Sequence, residues 1–282
     1  MRWTPGGQSQ NIEDRRSAGI GGGGMRLGLG GMIILFILSI VFKRDFFSLL
    51  NVSQGGMTAT TNSRPNPALD AKEQPLVQFV SFVLDDAQNQ WKQILPAEAG
   101  LPYRDAKLVL FRDTVNSACG FAQSASGPFY CPADQKVYID LGFYNELKNR
   151  FGASGDFAQA YVLTHEVGHH VQNLLGIDSK VRRAQQANPR AANDLSVRLE
   201  LQADCLAGVW GHSTQQRNIL EQGDVQKALT AAAAIGDDRL QRMAGRQVTP
   251  ESFTHGTSQQ RTQWFQAGFN SGSLSACNTF SD

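Results

Sequence analysis

An α+β fold behind a single apolar run is what this chain predicts, on three observations. Two short β-type runs, KLVLF (Lys107–Phe111) and KVYIDL (Lys136–Leu141), stand close together. The periodic segments that follow them have the spacing of helices, and strands followed by helices pack as α+β. Ahead of both lies Leu27–Phe42, sixteen residues without a charge.

Residues 1–26 contain Gly19 and Gly21–Gly24 and read as a disordered glycine-rich segment. A phosphate loop is excluded there, because no strand precedes the glycines and no Gly-Lys-Ser/Thr follows. As a helix, Leu27–Phe42 covers roughly 24 Å, slightly short of a bilayer core. Arg26, Lys43 and Arg44 flank it and can reach the headgroups. Anchor, cleaved signal peptide and buried core helix all compete for this run. With no small-residue cleavage site directly after it, the anchor, over 27–44, is the reading adopted. Arg2, Arg15, Arg16 and Arg26 precede it, which favours a cytoplasmic amino terminus and a single pass. Residues 51–74 are polar with Gly, Pro, Ser and Thr, and a flexible tether is expected over 45–74.

The globular domain, 75–282, is expected to open with a helix at Pro75, where PLVQFVSFVLDDAQNQW has an apolar helical period. Asp156 and Gln159 suggest a capping box for a helix ending near Leu175, with Gly176 as its stop. A second helix is expected over Leu195–Trp210, capped by Asn193 or Asp194 and stopped by Gly211. Residues 224–243 read as helical, and QQRTQWFQAGF as a closing amphipathic helix whose Arg261 is an ion partner or a substrate contact.

With 26 basic and 25 acidic residues and no basic-aromatic face, nucleic-acid binding is excluded. All four cysteines lie beyond the apolar run. Cys119 and Cys131 enclose a short turn-rich stretch, so they are paired with each other and Cys205 with Cys277, buried free thiols being the alternative. No close CxxC pairs are present for a zinc ribbon.

The chemistry is concentrated in THEVGHHVQN, Thr164–Asn173. His165 and His169 are four apart on one helix face and can share a metal ion, while Glu166 is placed to reach metal-bound water. A catalytic zinc needs a third protein ligand and an open position. The HExxHxxGxxH solution fails, because Gln172 and Leu175 occupy its last two positions. LELQADCLAG supplies a glutamate instead: Glu200, with Asp204 one turn later to accept the free ring N–H of a ligand histidine. His170 points about 100° away from His169 and is a packing or surface residue, as is His212.

HEVGHHVQNLLG, SVRLELQADCLAGVW, AIGDDRLQ and SFTHGTSQQRTQWFQAG together resemble the neutral zinc metallopeptidase family of bacteria. The likeness extends to the glycine-rich amino terminus, the apolar run and CGFAQSASGPFYCPADQKVYIDLGFY. It implies a zincin-like fold with one zinc ion on His165, His169 and Glu200, Glu166 as base, and a peptide or protein as substrate. The apolar run and the even cysteine count beyond it lead to the expectation of a bacterial inner-membrane protein with its catalytic domain periplasmic or extracytoplasmic. Zinc lowers the pKa of its water and polarises the scissile carbonyl. A second donor is then needed for the developing oxyanion. His255 is the candidate, helped by Tyr130 or Tyr138; a structural histidine in a turn is the alternative. KVYIDL is expected as sheet core, or else as an edge strand that pairs with extended substrate. The competing function is a non-catalytic zinc-containing binding or chaperone-like protein.

Overall fold

The computed structural model describes residues 1–17, 66–123 and 127–281. The expected anchor at 27–44 lies outside them, and so does most of the expected tether. Among the described residues no helix is long and apolar enough to cross a membrane.

The strands are β1 (Ile12–Asp14), β2 (Lys107–Phe111), β3 (Thr114–Ser117), β4 (Gly120–Gln123), β5 (Phe129–Cys131) and β6 (Lys136–Asp140). One sheet has the order β1-β2-β6-β5, and β3 and β4 form a separate antiparallel pair. β1 and β6 both run parallel to β2, with Ile12 beside Leu108 and Leu108 beside Val137, while β5 is antiparallel to β6. The unbroken apolar LVLF of β2 suits a strand covered on both faces. Leu108, Leu110, Val137 and Ile139 pack against the helices. Val109, Phe111 and Tyr138 pack on the opposite face with Val115 and Cys131.

The helices are α1 (Pro67–Ala99), α2 (Phe143–Asn149), α3 (Asp156–Leu174), α4 (Ile177–Ala187), α5 (Ala192–Gln216), α6 (Asp224–Ala234), α7 (Asp237–Met243) and α8 (Ser258–Ser271). α1 buries Val77, Val80, Leu84, Ala87, Trp91 and Leu95, the three-and-four spacing of one helix face. It begins at Pro67 rather than Pro75, because Asn66 caps the Leu69 N–H and Pro67 stands at the first helical position. Residues 67–74 are therefore helix, not tether.

Other boundaries also move. The Asp156–Gln159 capping box does not form: Gly155 is the N-cap, and the Asp156 carboxylate accepts the Trp3 indole N–H at 3.1 Å. α5 starts earlier than expected and runs straight through Gly211, whose missing side chain leaves room for the Phe269 ring. The segment 224–243 is two helices, broken at Gly236, where a Cβ would meet the Ser258 nitrogen at 2.4 Å.

The largest correction concerns the amino terminus. Met1–Arg16 are not disordered; they belong to the same compact unit as Asn66–Asp282. The Met1 amino group pairs with buried Asp224 at 2.7 Å, Arg16 with Glu73 at 2.8 Å, and Lys136 with Glu13 at 2.6 Å. A three-residue strand with two acids carries no apolar alternation, and so β1 has no signature of its own. Its acids are satisfied by cations that only the folded sheet brings near.

Both expected disulfides are present, Cys119–Cys131 and Cys205–Cys277, and no cysteine is free.

Candidate metal centre

Three buried glycines set how closely the central helices approach. A Cβ on Gly168 of α3 would lie 3.0 Å from the Ala203 carbonyl oxygen of α5. On Gly208 it would lie 2.1 Å from the Phe265 oxygen of α8, and on Gly268 it would lie 1.9 Å from the Cys205 oxygen. Helix backbones that nearly touch bring side chains of α3 and α5 to one point, with α8 packed behind them.

At that point the expected ligands meet. His165 Nε2 lies 3.2 Å from Glu200 Oε2, and His169 Nε2 lies 3.4 Å from Glu200 Oε1. The two imidazole rings are nearly perpendicular, their centroids 4.8 Å apart. One donor atom from each of the three residues falls within 4.8 Å of the others, the one such group among the described residues.

The outer nitrogens fix which inner ones are free. His165 Nδ1 donates to Asp204 Oδ1 at 2.9 Å, and His169 Nδ1 donates to Gln172 Oε1 at 2.8 Å. Nδ1 carries a proton in both rings, so Nε2 of each is the atom that a metal ion beside the Glu200 carboxylate would take in place of a proton. Two imidazoles, neutral once the ion replaces that proton, and one carboxylate are the protein donor set of a catalytic zinc, so the residues fit that ion. Gln172 is in turn held by the Leu199 carbonyl at 2.7 Å and the Gln202 side chain at 3.1 Å.

Asp204 is fully buried and carries more than His165. Arg261 Nε and Nη2 donate to its two oxygens at 2.8 and 3.0 Å, and the Tyr161 hydroxyl also donates to it. Burial alone would raise its pKa, but the Arg261 charge and His165 hold it below the ordinary aspartate value. His165 is pulled down by burial, yet Asp204 and Glu200 outweigh that and push it up to about 10. Glu166, next along α3, is 8% exposed, and burial raises its pKa.

His255 lies in the turn before α8, half exposed. Its neighbour Gly256 packs on Val197 and Leu201 of α5, either side of Glu200, and the charge of Glu200 reaches the imidazole. Asp237 at the start of α7 accepts the backbone N–H groups of Thr254, His255 and Gly256 and faces His255 Nδ1 at 3.2 Å. The other expected helpers are elsewhere. Tyr130 donates to His170 Nδ1 at 2.9 Å and accepts from Asn173, and Tyr138 donates to Asp134. β6 lies between β2 and β5, so it is sheet core and offers no free edge to substrate. His170 is a buried clamp that donates Nε2–H to the Arg104 carbonyl at 2.6 Å, and His212 bonds the Phe269 carbonyl at 2.7 Å.

Sequence reading missed Gln172, Tyr161 and Asp237 as site residues, and left Arg261 between two roles. Gln172 is three residues after His169 and Tyr161 four before His165, so helical spacing alone points to both. Arg261 and Asp237 reach the site from other helices and have no local signature.

Residues 1–280 match the family described as "Putative neutral zinc metallopeptidase". The chain is similar to the uncharacterized protein YpfJ of Escherichia coli K12, 48% identical over 289 residues and covering 99% of each chain. It is also similar to the uncharacterized protein Rv2575 of Mycobacterium tuberculosis, 45% identical over 202 residues, which cover 68% of this chain and 66% of the relative. No solved structure matches it.

Proposed function

Since the chain belongs to the neutral zinc metallopeptidase family, whose cofactor is zinc, we propose that it hydrolyses peptide bonds in a peptide or protein substrate, with Glu166 as general base. The observation that carries this reading is the meeting of His165 Nε2, His169 Nε2 and the Glu200 carboxylate at one point, with Glu166 the next residue after His165 on α3. A zincin-like fold is part of the same proposal, supported by the short sheet and the two helices that supply these ligands.

Zinc on those three residues supplies a Lewis acid for the scissile carbonyl and an acidified water. Asp204, clamped by Arg261 and Tyr161, keeps the His165 ring turned with Nε2 inward, and Gln172 does the same for His169. Glu166 accepts the proton of the attacking water and passes it to the departing amide nitrogen, as a base without metal duty can. His255, with Nδ1 held by Asp237, presents Nε2–H to the oxyanion.

The domain is assigned to the oxidising side of a bacterial inner membrane, on the support of two disulfides and no free thiol. Because β1 is a strand of the same sheet, residues 1–16 share that side rather than the cytoplasmic one expected of the amino terminus.

The test uses the full chain, since residues 1–16 are part of the fold. Zinc content and cleavage of a quenched-peptide library are compared with those of Glu166→Gln. The variant is expected to hold zinc and cut at least about 100-fold more slowly. Equal rates at equal zinc content remove the enzyme from consideration and leave the binding-protein reading.

A further inference from the structure

A backbone carbonyl can only accept a hydrogen bond, and two carbonyls bracket a pair of buried glutamines behind His169. Gln172 of α3 is fully buried and Gln202 of α5 is 6% exposed. Gln202 Nε2 donates to the Cys277 carbonyl at 2.8 Å. Gln172 Nε2 donates to the Leu199 carbonyl at 2.7 Å and to Gln202 Oε1 at 3.1 Å. The remaining polar atom of Gln172, Oε1, accepts from His169 Nδ1 at 2.8 Å.

These contacts have a direction. A glutamine amide can turn over and exchange its oxygen for its nitrogen, so its partners decide which end points where. The Cys277 carbonyl takes the nitrogen of Gln202, which leaves Gln202 Oε1 toward Gln172. That oxygen and the Leu199 carbonyl each take one Gln172 N–H group, which leaves Gln172 Oε1 toward His169. An oxygen in that place holds the ring proton on Nδ1 and leaves Nε2 for zinc. A Gln172 amide turned the other way would donate to Nδ1 and move the ring proton to Nε2, the atom the metal needs.

The series ends on the carboxyl-terminal turn, Leu274–Cys277, which follows α8. The Cys205–Cys277 disulfide, buried at both ends, ties that turn to α5. Thr279 Oγ1 adds a second tie, donating to the Arg198 carbonyl at 2.7 Å. Cys205 also directly follows Asp204, the brace of His165. One covalent bond thus stands behind the supports of both histidines.

We propose that Gln202 is a positioning residue of the metal centre: hung on the Cys277 carbonyl, it fixes the direction of the Gln172 amide and so the ring nitrogen that His169 offers to zinc. The role needs the zinc centre but no peptide turnover. Without Gln202, the Leu199 carbonyl alone would restrain the amide, and a single contact leaves it free to rotate.

The experiment compares the full chain with Gln202→Met, Gln202→Glu and the double variant Cys205→Ser with Cys277→Ser. Methionine keeps the bulk and removes both hydrogen bonds, while glutamate keeps an oxygen toward Gln172. Zinc affinity, measured by chelator competition, is expected to fall about 10-fold in Gln202→Met and in the double serine variant. Combining all three changes is expected to lower it no further, because they break one series. In the cobalt-loaded protein the Nδ1 protons of the metal-bound histidines give shifted, solvent-exchangeable NMR signals. Gln202→Met is expected to speed exchange of the His169 proton about 10-fold or more and to leave that of His165 alone. Gln202→Glu is expected to keep both protons protected. An unchanged His169 proton in Gln202→Met overturns the proposal, whatever the melting temperature does, since it shows a glutamine that only packs. Loss of zinc affinity in the double serine variant but not in Gln202→Met also overturns it, because the disulfide then acts without Gln202. If the wild type holds zinc yet cuts no peptide, the peptidase reading fails and these same measurements still decide the role of Gln202.

Discussion

Arg261 and Asp204 form a bidentate ion pair with both side chains at 2% exposure or less, Nε to Oδ2 at 2.8 Å and Nη2 to Oδ1 at 3.0 Å. The pair links α8 to α5 directly behind His165, whose Nδ1 bonds the same carboxylate. Removing one member leaves the other charged and buried. Arg261→Ala is therefore expected to cost about 3–5 kcal/mol in urea unfolding. It should also weaken zinc about 10–100-fold, because the ring of His165 loses its brace. Arg261→Ala with wild-type zinc affinity would show that Asp204 orients His165 unaided.

Acid sensitivity follows from Asp224. Burial would raise its pKa, but the Met1 amino group, the Glu221 N–H and Lys227 hold it below the usual 3.8. A carboxylate depressed in the fold stabilises above its unfolded value and loses that contribution as pH falls through the folded one. Melting temperatures of wild type and Asp224→Asn should thus differ most above pH 3.8 and converge below it. A gap that widened on acidification would reverse the sign.

Gly268→Ala tests the helix crossing that builds the site. An added Cβ would sit 1.9 Å from the Cys205 carbonyl oxygen and 3.0 Å from the Val209 nitrogen, both backbone atoms. Neither can rotate away, so α8 must shift off α5 at a cost of about 1–3 kcal/mol or more. Calorimetry should show a lower melting temperature. Arg261 moves with α8, so zinc affinity should fall as well.

How much of this was legible in the sequence depended on the distance over which each signal acts. His165, Glu166 and His169 lie within five residues, and Glu200 and Asp204 share one turn, so helical geometry alone placed them. The disulfides followed from cysteine number and the short loop between Cys119 and Cys131. Helix ends were read poorly wherever tertiary contacts used the residue for something else: Asp156 bonds Trp3 rather than capping, and Gly211 makes room for Phe269 rather than ending α5. Tyr130 and Tyr138 lay near the right motif but face other partners, a matter of side-chain direction that no local pattern carries. Asp237 with His255, and Arg261 with Asp204, join residues from separate elements and became visible only once the chain had folded.

The register of β1 against β2, Ile12 beside Leu108 and Asp14 beside Leu110, carries a consequence for the surroundings of the amino terminus. Strands of one sheet occupy one aqueous compartment, so residues 1–16 and the sheet meet the same solvent. Because every native cysteine is paired, Gln8→Cys and Gln263→Cys each present a lone thiol to an impermeant maleimide on whole cells or spheroplasts. Both should label together or be shielded together. One labelled with the other shielded would separate β1 from its sheet.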